Sequence, residues 1–340
     1  MKLFIYEHIT SGALINEPLP TSLAREGNDM LIAIVQDLAQ LSNIELIILR
    51  DIRLEPLLNT INSTHIHCYT IDDKSSFQAH YRAALNDADM VLPIAPETDD
   101  ILSNIQQQVI DNNKQLLGCQ PNATKLTSDK YQCFQQLKSF GLESPNTIKA
   151  NEWPEKKFNS PSGFIIKPFD GAGCINTLFL EDQNKLEAWL ASHAPELNHF
   201  LIQPYLKGLS LSLSLLVDHN NSLVLAINQQ HVSHENGKLS FHGCTVNGSK
   251  NPDFSLLHAS NLANKVHQAI SGLWGFIGID LILHNNTPYI VDINPRLTTS
   301  YIGLRQSLNI NPAKLLLMMM KQSVMTLPEL TLRQPIEVRV

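Results

Sequence analysis

Cysteine is scarce in this chain and never clustered: Cys68, Cys119, Cys133, Cys174 and Cys244 are the only five among 340 residues, with no C-x-x-C pair. That spacing argues against a zinc module and a disulfide framework, and implies reduced thiols. Neither sign of charge dominates. Twenty-five Lys and Arg against 32 Asp and Glu leave a net charge of -7 without a long run of either sign, so no electrostatic footprint for nucleic acid or an anionic membrane is present. Long apolar stretches are missing as well, the nearest being residues 315–320, far short of the roughly 20 residues that span a bilayer. The opening MKLFIYEHITSG has one lysine and an apolar run broken by Glu7 and His8. It is a first strand rather than a signal peptide, and a cytoplasmic location is expected. The dinucleotide turn G-x-G-x-x-G is also absent, so a dinucleotide is not indicated.

What remains, 43% hydrophobic and 17% charged residues, is ordinary globular composition with enough chain for two or three packed units. Small-molecule chemistry is the default expectation. In the first third, short apolar runs at 2–6, 45–49, 67–71 and 90–94 alternate with amphipathic stretches at 22–41 and 99–112, the pattern of a parallel sheet covered by helices. The texture changes near Cys119. Pro121, Thr127, Ser128 and Asp129 are helix-start residues ahead of an amphipathic run at 130–140, which Gly141 stops. Two strands, 164–167 and 177–180, flank a glycine-containing turn, and strands at 209–217, 223–228 and 239–246 follow. A helix at 254–271, two more strands and a helix at 312–323 complete the chain. Met318, Met319 and Met320 lie at helical spacing with Leu315 and Leu316, a core pattern.

Three segments carry chemistry. Lys167 ends an apolar strand directly before Asp170-Gly171-Ala172-Gly173, where small residues let backbone N–H groups approach phosphate oxygens and the lysine adds a point charge. The strands at 275–283 and 289–296 are apolar on both faces except for a few acids and amides. Buried carboxylates there need a compensating positive charge. Asp292 and Asn294, two apart, share a face, and a three-residue loop at 285–287 places Asp280 opposite Asp292, whereas a two-residue loop pairs it with Val291. The odd-length connection is therefore predicted. Two carboxylates and an amide oxygen then form a hard oxygen set suited to Mg2+, with Mn2+ a substitute. Arg296, two residues on, is placed at the site edge, where a guanidinium binds a carboxylate or developing oxyanion charge.

Lys130 on a helix, Lys167 before the glycine loop, Gln203-Pro204-Tyr205-Leu206-Lys207-Gly208, Asp280, and Asp292-Ile293-Asn294-Pro295-Arg296 follow one another in the order seen in ATP-grasp enzymes, which the chain resembles over residues 123–323. The resemblance implies an α/β and α+β chain with the ATP-grasp fold: a Rossmann-like pre-grasp domain at 1–118, a small lid subdomain at 119–205, and a metal- and substrate-binding subdomain at 206–340. It further implies that Lys130 and Lys167 contact ATP phosphates and that Asp170, Gly171, Ala172 and Gly173 cover the terminal one. Gln203, Pro204, Tyr205 and Leu206 would meet adenine, Asp280, Asp292 and Asn294 would hold magnesium, and Arg296 would face the acyl group. Two departures stand out: Ser210 occupies the place of a common ribose-binding glutamate, and Asp292 is an aspartate where glutamate is usual.

Within the superfamily the chain looks closest to the tyramine-glutamate ligase group of methanofuran-type cofactor synthesis, through Tyr6-Glu7-His8, Glu26-Gly27-Asn28-Asp29-Met30 and Asn294-Pro295-Arg296-Leu297-Thr298-Thr299-Ser300-Tyr301. On that basis Glu7, in a loop after the first strand, and Glu26, in the first helix, are candidates for binding an amine. Gln229, Gln230 and His231 with Gly243, Cys244 and Thr245 would line the acceptor side. His231, His234 and His242 are irregularly spaced, which favours ordinary polar roles over zinc. The expected reaction is ATP-dependent amide formation through an acyl phosphate, joining a carboxylate to an amine, with glutamate as one substrate and an aromatic amine or amino acid as the other. Another amino-acid or peptide ligase, and a nucleotide-binding protein without turnover, are the alternatives. Nucleic acid and membrane partners are not expected, and a homodimer is compatible with the sequence.

Overall fold

The computed structural model describes residues 1–59, 61, 64–171, 175–321, 330 and 333–340. Five strands, β1 (Lys2–Glu7), β2 (Glu45–Asp51), β3 (Ile66–Ile71), β4 (Met90–Ile94) and β5 (Gln115–Leu116), form a parallel sheet in the order β3-β2-β1-β4-β5. Side chains alternate across it. Leu3 and Ile5 point to the face covered by helix α1 (Thr21–Leu38), and Phe4 and Tyr6 to the face covered by α2 (Lys74–Asp87) and α3 (Ile101–Asp111).

Helix α2 has no counterpart in the sequence reading, since it buries only Ala84 and Leu85 and shows little apolar periodicity. Its signal is the N-cap: Asp73 accepts a hydrogen bond from Ser76 N at 2.7 Å. Helix α3 starts at Ile101 rather than 99, because Asp99 and Asp100 sit at φ 54° and 58°, outside helical space.

Helix α4 (Pro121–Ser128), with Pro121 in its first turn, is separate from α5 (Lys130–Ser139), so the residues read as one helix start form a helix of their own. Asp129 divides them by capping α5, accepting from Tyr131 N and Gln132 N, both at 3.0 Å. A small unit follows, built from β6 (Ile148–Lys149), β7 (Phe164–Pro168), β8 (Leu178–Leu180), α6 (Gln183–Ser192) and β9 (Phe200–Pro204). Its own core includes Trp153, Phe164, Ile166, Leu186 and Ile202.

The large antiparallel array contains β10 (Leu209–Val217), β11 (Ser222–Glu235), β12 (Lys238–Val246), β13 (Gly275–His284) and β14 (Thr287–Asn294). Helix α7 (Leu256–Ala269) packs on it, and Cys133, Leu137 and Leu142 from the α5 region join that same core. Strand β11 runs to Glu235, well past the expected 228. Its hairpin with β12 joins the small unit through Phe179 N to Gly237 O at 2.6 Å and Leu239 N to Thr177 O at 3.1 Å. Helices α8 (Tyr301–Leu308) and α9 (Pro312–Lys321) follow, and β15 (Ile336–Arg339) pairs with β12. Residues 322 and 323 of the expected last helix lie outside the described residues.

The two sheets share one apolar core, in which α1 residues such as Leu31 and Val35 meet Leu304, Leu308 and Leu316. Buried Asp37 of α1 reinforces that junction: its carboxylate accepts from Tyr301 Oη at 2.7 Å and Arg305 Nη1 at 2.8 Å, and its carbonyl from Asn311 Nδ2 at 2.8 Å. Deleting one hydroxyl leaves a buried acceptor short of a partner, at about 1–3 kcal/mol. Tyr301→Phe should therefore lower the urea unfolding midpoint, and an unchanged midpoint would remove this contact from the forces joining the halves.

Candidate active site

Strands β13 and β14 are connected by two residues, Asn285 and Asn286, at φ 48° and 63°. Asparagine tolerates the left-handed pair that a tight hairpin of matching twist requires. The expected three-residue loop is thus wrong, yet Asp280 does face Asp292. A β-bulge reconciles the two: pairs from His284↔Thr287 to Leu281↔Ile290 follow the two-residue register, then Val291 is skipped. The extra residue changes the phase of the strand. Ile290 and Ile293, three apart, both enter the core, whereas Val291, Asp292 and Asn294 line a cavity of about 340 Å³.

The cavity floor is the polar face of an alternating pattern, with Ser210, Ser212, Gln230 and Asp280 on one side and Leu211, Leu213, Ile279 and Leu281 on the other. Gly278 is paired with Asn294, and a Cβ there would meet Thr298 Cγ2 at 2.7 Å. Asp280 accepts from Gln230 Nε2 at 2.8 Å and Asn294 Nδ2 at 3.1 Å. Burial pushes its carboxyl up to about 7, and the facing Asp292 charge acts in the same direction.

Both sequence-selected lysines meet this hairpin. Lys167, the fourth residue of β7, donates to the bulged Val291 carbonyl at 3.0 Å. Lys130 opens α5; its Nζ reaches Asp292 at 3.1 Å and the Gly171 carbonyl at 2.7 Å, and its backbone N–H donates to Phe169 O at 2.9 Å. Burial works against the Lys130 ammonium, but Asp292 together with Glu97 and Cys133 offsets it and the pKa is raised. Asp170 and Gly171 line the cavity, while Ala172 and Gly173 lie outside the described residues.

At the opposite end, Gln203, Pro204, Tyr205 and Leu206 line the wall with Ile165, Phe179 and Ile282. Strand β9 ends at Pro204, and Gln203 Nε2 is anchored on Thr147 Oγ1 at 2.8 Å. Ser210 Oγ donates to Gln230 Oε1 at 2.9 Å, which links it to Asp280 through one amide.

Toward the parallel sheet, Arg296 lines the cavity and is held by Glu97, with Nε to Oε1 at 2.9 Å and Nη2 to Oε2 at 3.2 Å. Sequence reasoning missed Glu97. The available signal was its place just past β4, at the carboxyl edge of a parallel sheet where clefts form. Glu26 lines the cavity and accepts from Thr299 Oγ1.

Glu7 ends β1 instead of lying in a polar loop. It is buried, accepts from Thr10 N at 2.7 Å and Ile9 N at 3.3 Å, and is not among the described residues lining the cavity. His231 also faces away, bonded to Thr245 Oγ1 at 2.9 Å, because it alternates with Gln230 and Val232, which line the cavity together with Cys244. The thiols of Cys68, Cys119, Cys133 and Cys244 are free.

Among the described residues no group of three or more His, Cys, Asp or Glu gathers as a metal site. The candidate set is Asp280, Asp292 and Asn294, oxygen donors suited to magnesium, and a carboxyl held near 7 by burial and a like charge is one that a cation would relieve. Asn294 fits after its amide turns to present Oδ1, since it now gives Nδ2 to Asp280.

A parallel α/β domain leading into a small sheet unit and a larger antiparallel one, with lysines and carboxylates between them, defines an ATP-grasp architecture. The ATP-grasp domain profile matches residues 127–300, and a pre ATP-grasp 3 domain profile matches 44–124. The chain belongs to the ATP-grasp family. It is similar to a tyramine–L-glutamate ligase from Methanocaldococcus fervens, 34% identical over 64% of this chain and 62% of that protein. A tyramine–L-glutamate ligase from Methanocaldococcus jannaschii is 27% identical over 84% of this chain and 80% of its own length. Among solved structures, an ATP-grasp superfamily protein from Archaeoglobus fulgidus superposes with a TM-score of 0.69 at 22% identity, covering 93% of this chain and 88% of that one. No described helix is long and apolar enough to cross a membrane.

A carboxyl whose folded pKa is raised contributes stability that is complete below the usual carboxylate range and is lost as pH rises through the folded value. For Asp280, whose folded value is about 7, the window runs from about 4 to 7. Mn2+ should therefore raise the melting temperature more at about pH 8 than at about pH 5.5. Equal shifts at both values would count against Asp280 as a ligand.

Proposed function

We propose that the protein is an ATP-dependent carboxylate–amine ligase that forms an amide through an acyl phosphate. The observation that carries this reading is the convergence in one cavity of the Asp280–Asp292 face, the ammonium groups of Lys130 and Lys167, and the Arg296 guanidinium. Adenine occupies the end walled by Gln203, Pro204, Tyr205 and Leu206, with Ser210 and Gln230 near the ribose. The phosphates extend under the loop at Asp170 toward Lys130 and Lys167, and residues 119–205 act as the lid unit over the 206–340 unit. Magnesium, when bound by Asp280, Asp292 and Asn294, supplies charge neutralisation for the phosphate chain.

A substrate carboxylate oxygen attacks the terminal phosphorus, the bond to the bridging oxygen breaks, and ADP leaves. Lys130 and Lys167 offset charge on the transferring group. A neutral amine then attacks the acyl carbon; the nitrogen passes its proton to the departing phosphate, the bond from the acyl carbon to the phosphate oxygen breaks, and the amide remains. Arg296 donates to the oxyanion that develops between these events. Exclusion of water from the occupied cavity protects the mixed anhydride. Glutamate is the proposed acid and an aromatic amine of the tyramine type its partner, by the similarity to the two methanogen ligases. Glu26, at the cavity wall, suits the cationic form of an amine before it reacts.

The test is phosphate and ADP release with a panel of amino acids and amines that includes L-glutamate with tyramine. Lys167→Ala should reduce that release about a hundredfold or more, the usual scale for removing a donor from developing charge. Near-normal release would take Lys167 out of the phosphate role. Asp292→Asn should raise the magnesium concentration needed for half-maximal turnover, and an unchanged titration would exclude it as a ligand. Nucleotide binding without amine-dependent turnover for any pair would identify a binding protein instead.

A further inference from the structure

We propose that Glu97 is the positioning residue for Arg296, so that the parallel-sheet domain sets the direction from which the guanidinium meets the acyl group. This assignment rests on the ligase reading above. Glu97 is contributed by the turn after β4, and 199 positions separate it from Arg296. The pair is two-pronged, and both partners are shielded, with side-chain exposures of 6% for Glu97 and 12% for Arg296. A forked carboxylate–guanidinium contact fixes the plane of the group as well as its position, which a single contact cannot do.

Counting donors shows which edge is held. A guanidinium carries five N–H bonds in a rigid plane. Glu97 takes the one on Nε and one on Nη2, and the Leu297 carbonyl takes one on Nη1 at 3.2 Å. Among the described residues this leaves one N–H on each Nη nitrogen of a side chain that lines the cavity. Such donors suit a carboxylate oxygen and, later, the oxygen that gains charge at the acyl carbon. Glu97 thus turns Arg296 from a general cation into a donor of fixed direction.

The turn that bears Glu97 is itself constrained. Asp99 and Asp100 are consecutive non-glycine residues in the left-handed region, at φ 54° and 58°. Such backbone persists where its surroundings over-determine it, and it gathers at functional sites. Here the surroundings are visible on both sides: Glu97 holds Arg296, and the Asp99 N–H points to Asp170 Oδ2 of the phosphate loop at 3.4 Å. One short turn therefore contacts the elements that serve the acyl group and the terminal phosphate. A role as simple glue between domains is already filled elsewhere by Asp37 with Tyr301 and Arg305.

The experiment compares Glu97→Gln, Glu97→Asp and Arg296→Lys with the unaltered chain, using phosphate release from L-glutamate with tyramine or the panel pair that turns over. Affinity for magnesium ADP and the melting temperature are measured in parallel. Glu97→Gln should lower kcat about tenfold to a hundredfold, with a smaller change in KM for the acid and nucleotide affinity within about twofold. Glu97→Asp, which keeps the charge, should recover part of kcat. An unchanged kcat in Glu97→Gln, or Glu97→Asp falling as far as Glu97→Gln, overturns the assignment. A kcat loss accompanied by an equal loss of nucleotide affinity and a collapsed melting temperature shows a structural role and overturns it too. If Arg296→Lys loses turnover while Glu97→Gln keeps it, only the Glu97 assignment fails. If no panel pair releases phosphate, or Arg296→Lys and Lys167→Ala leave release intact, the ligase reading fails first.

Discussion

Two carboxylates facing each other across an otherwise apolar hairpin are the constraint on which the site depends. Asp280 and Asp292 repel, and the burial of Asp280 keeps it from being a comfortable anion. In the structure described, three side chains meet the strain: the Lys130 ammonium on Asp292, and the amides of Gln230 and Asn294 on Asp280. Each partner arrives from a different element. The geometry of the cavity is in large part the geometry of satisfying these two acids.

The Val291 bulge makes this arrangement compatible with a core. A regular ladder would put Ile290 on the same face as Asp292, so that either an isoleucine would enter the site or a carboxylate would enter the apolar layer. One extra residue lets Ile290 and Ile293 both pack inward, and it turns out a carbonyl that Lys167 takes. Lys167 belongs to the small unit and Val291 to the large one. A local irregularity in one strand thereby becomes a contact between two sheets. Lys130 makes a similar connection through the Gly171 carbonyl.

Much of this was legible from residue order. Alternation at 209–217 separates serines that line the cavity from leucines that enter the core, and face-sharing along β14 puts Asp292 beside Asn294; the opposition of Asp280 and Asp292, expected from a three-residue loop, comes instead from the bulge. The loop length was misread because the bulge offers no local mark: Val291 is an ordinary β-branched strand residue. Helix α2 buries too little to show a period in the sequence, and Glu7, a charged residue at a strand end, has the sequence pattern of an exposed loop although it is buried. Its carboxylate is accommodated by the N–H groups of Ile9 and Thr10, and Gly27 lets it come close, since a Cβ there would sit 2.6 Å from Oε1.

By itself the sequence determined the longer strands of both sheets, the lysines and acids that carry the chemistry, and their order along the chain, because hydrophobic period and turn chemistry are local properties. Only the tertiary structure decided which of them meet. Glu97 with Arg296, Lys130 with Asp292 and Asp37 with Tyr301 are separated by 199, 162 and 264 positions. Such pairings depend on how the sheets pack through a shared core, and no periodicity within a single segment encodes that packing.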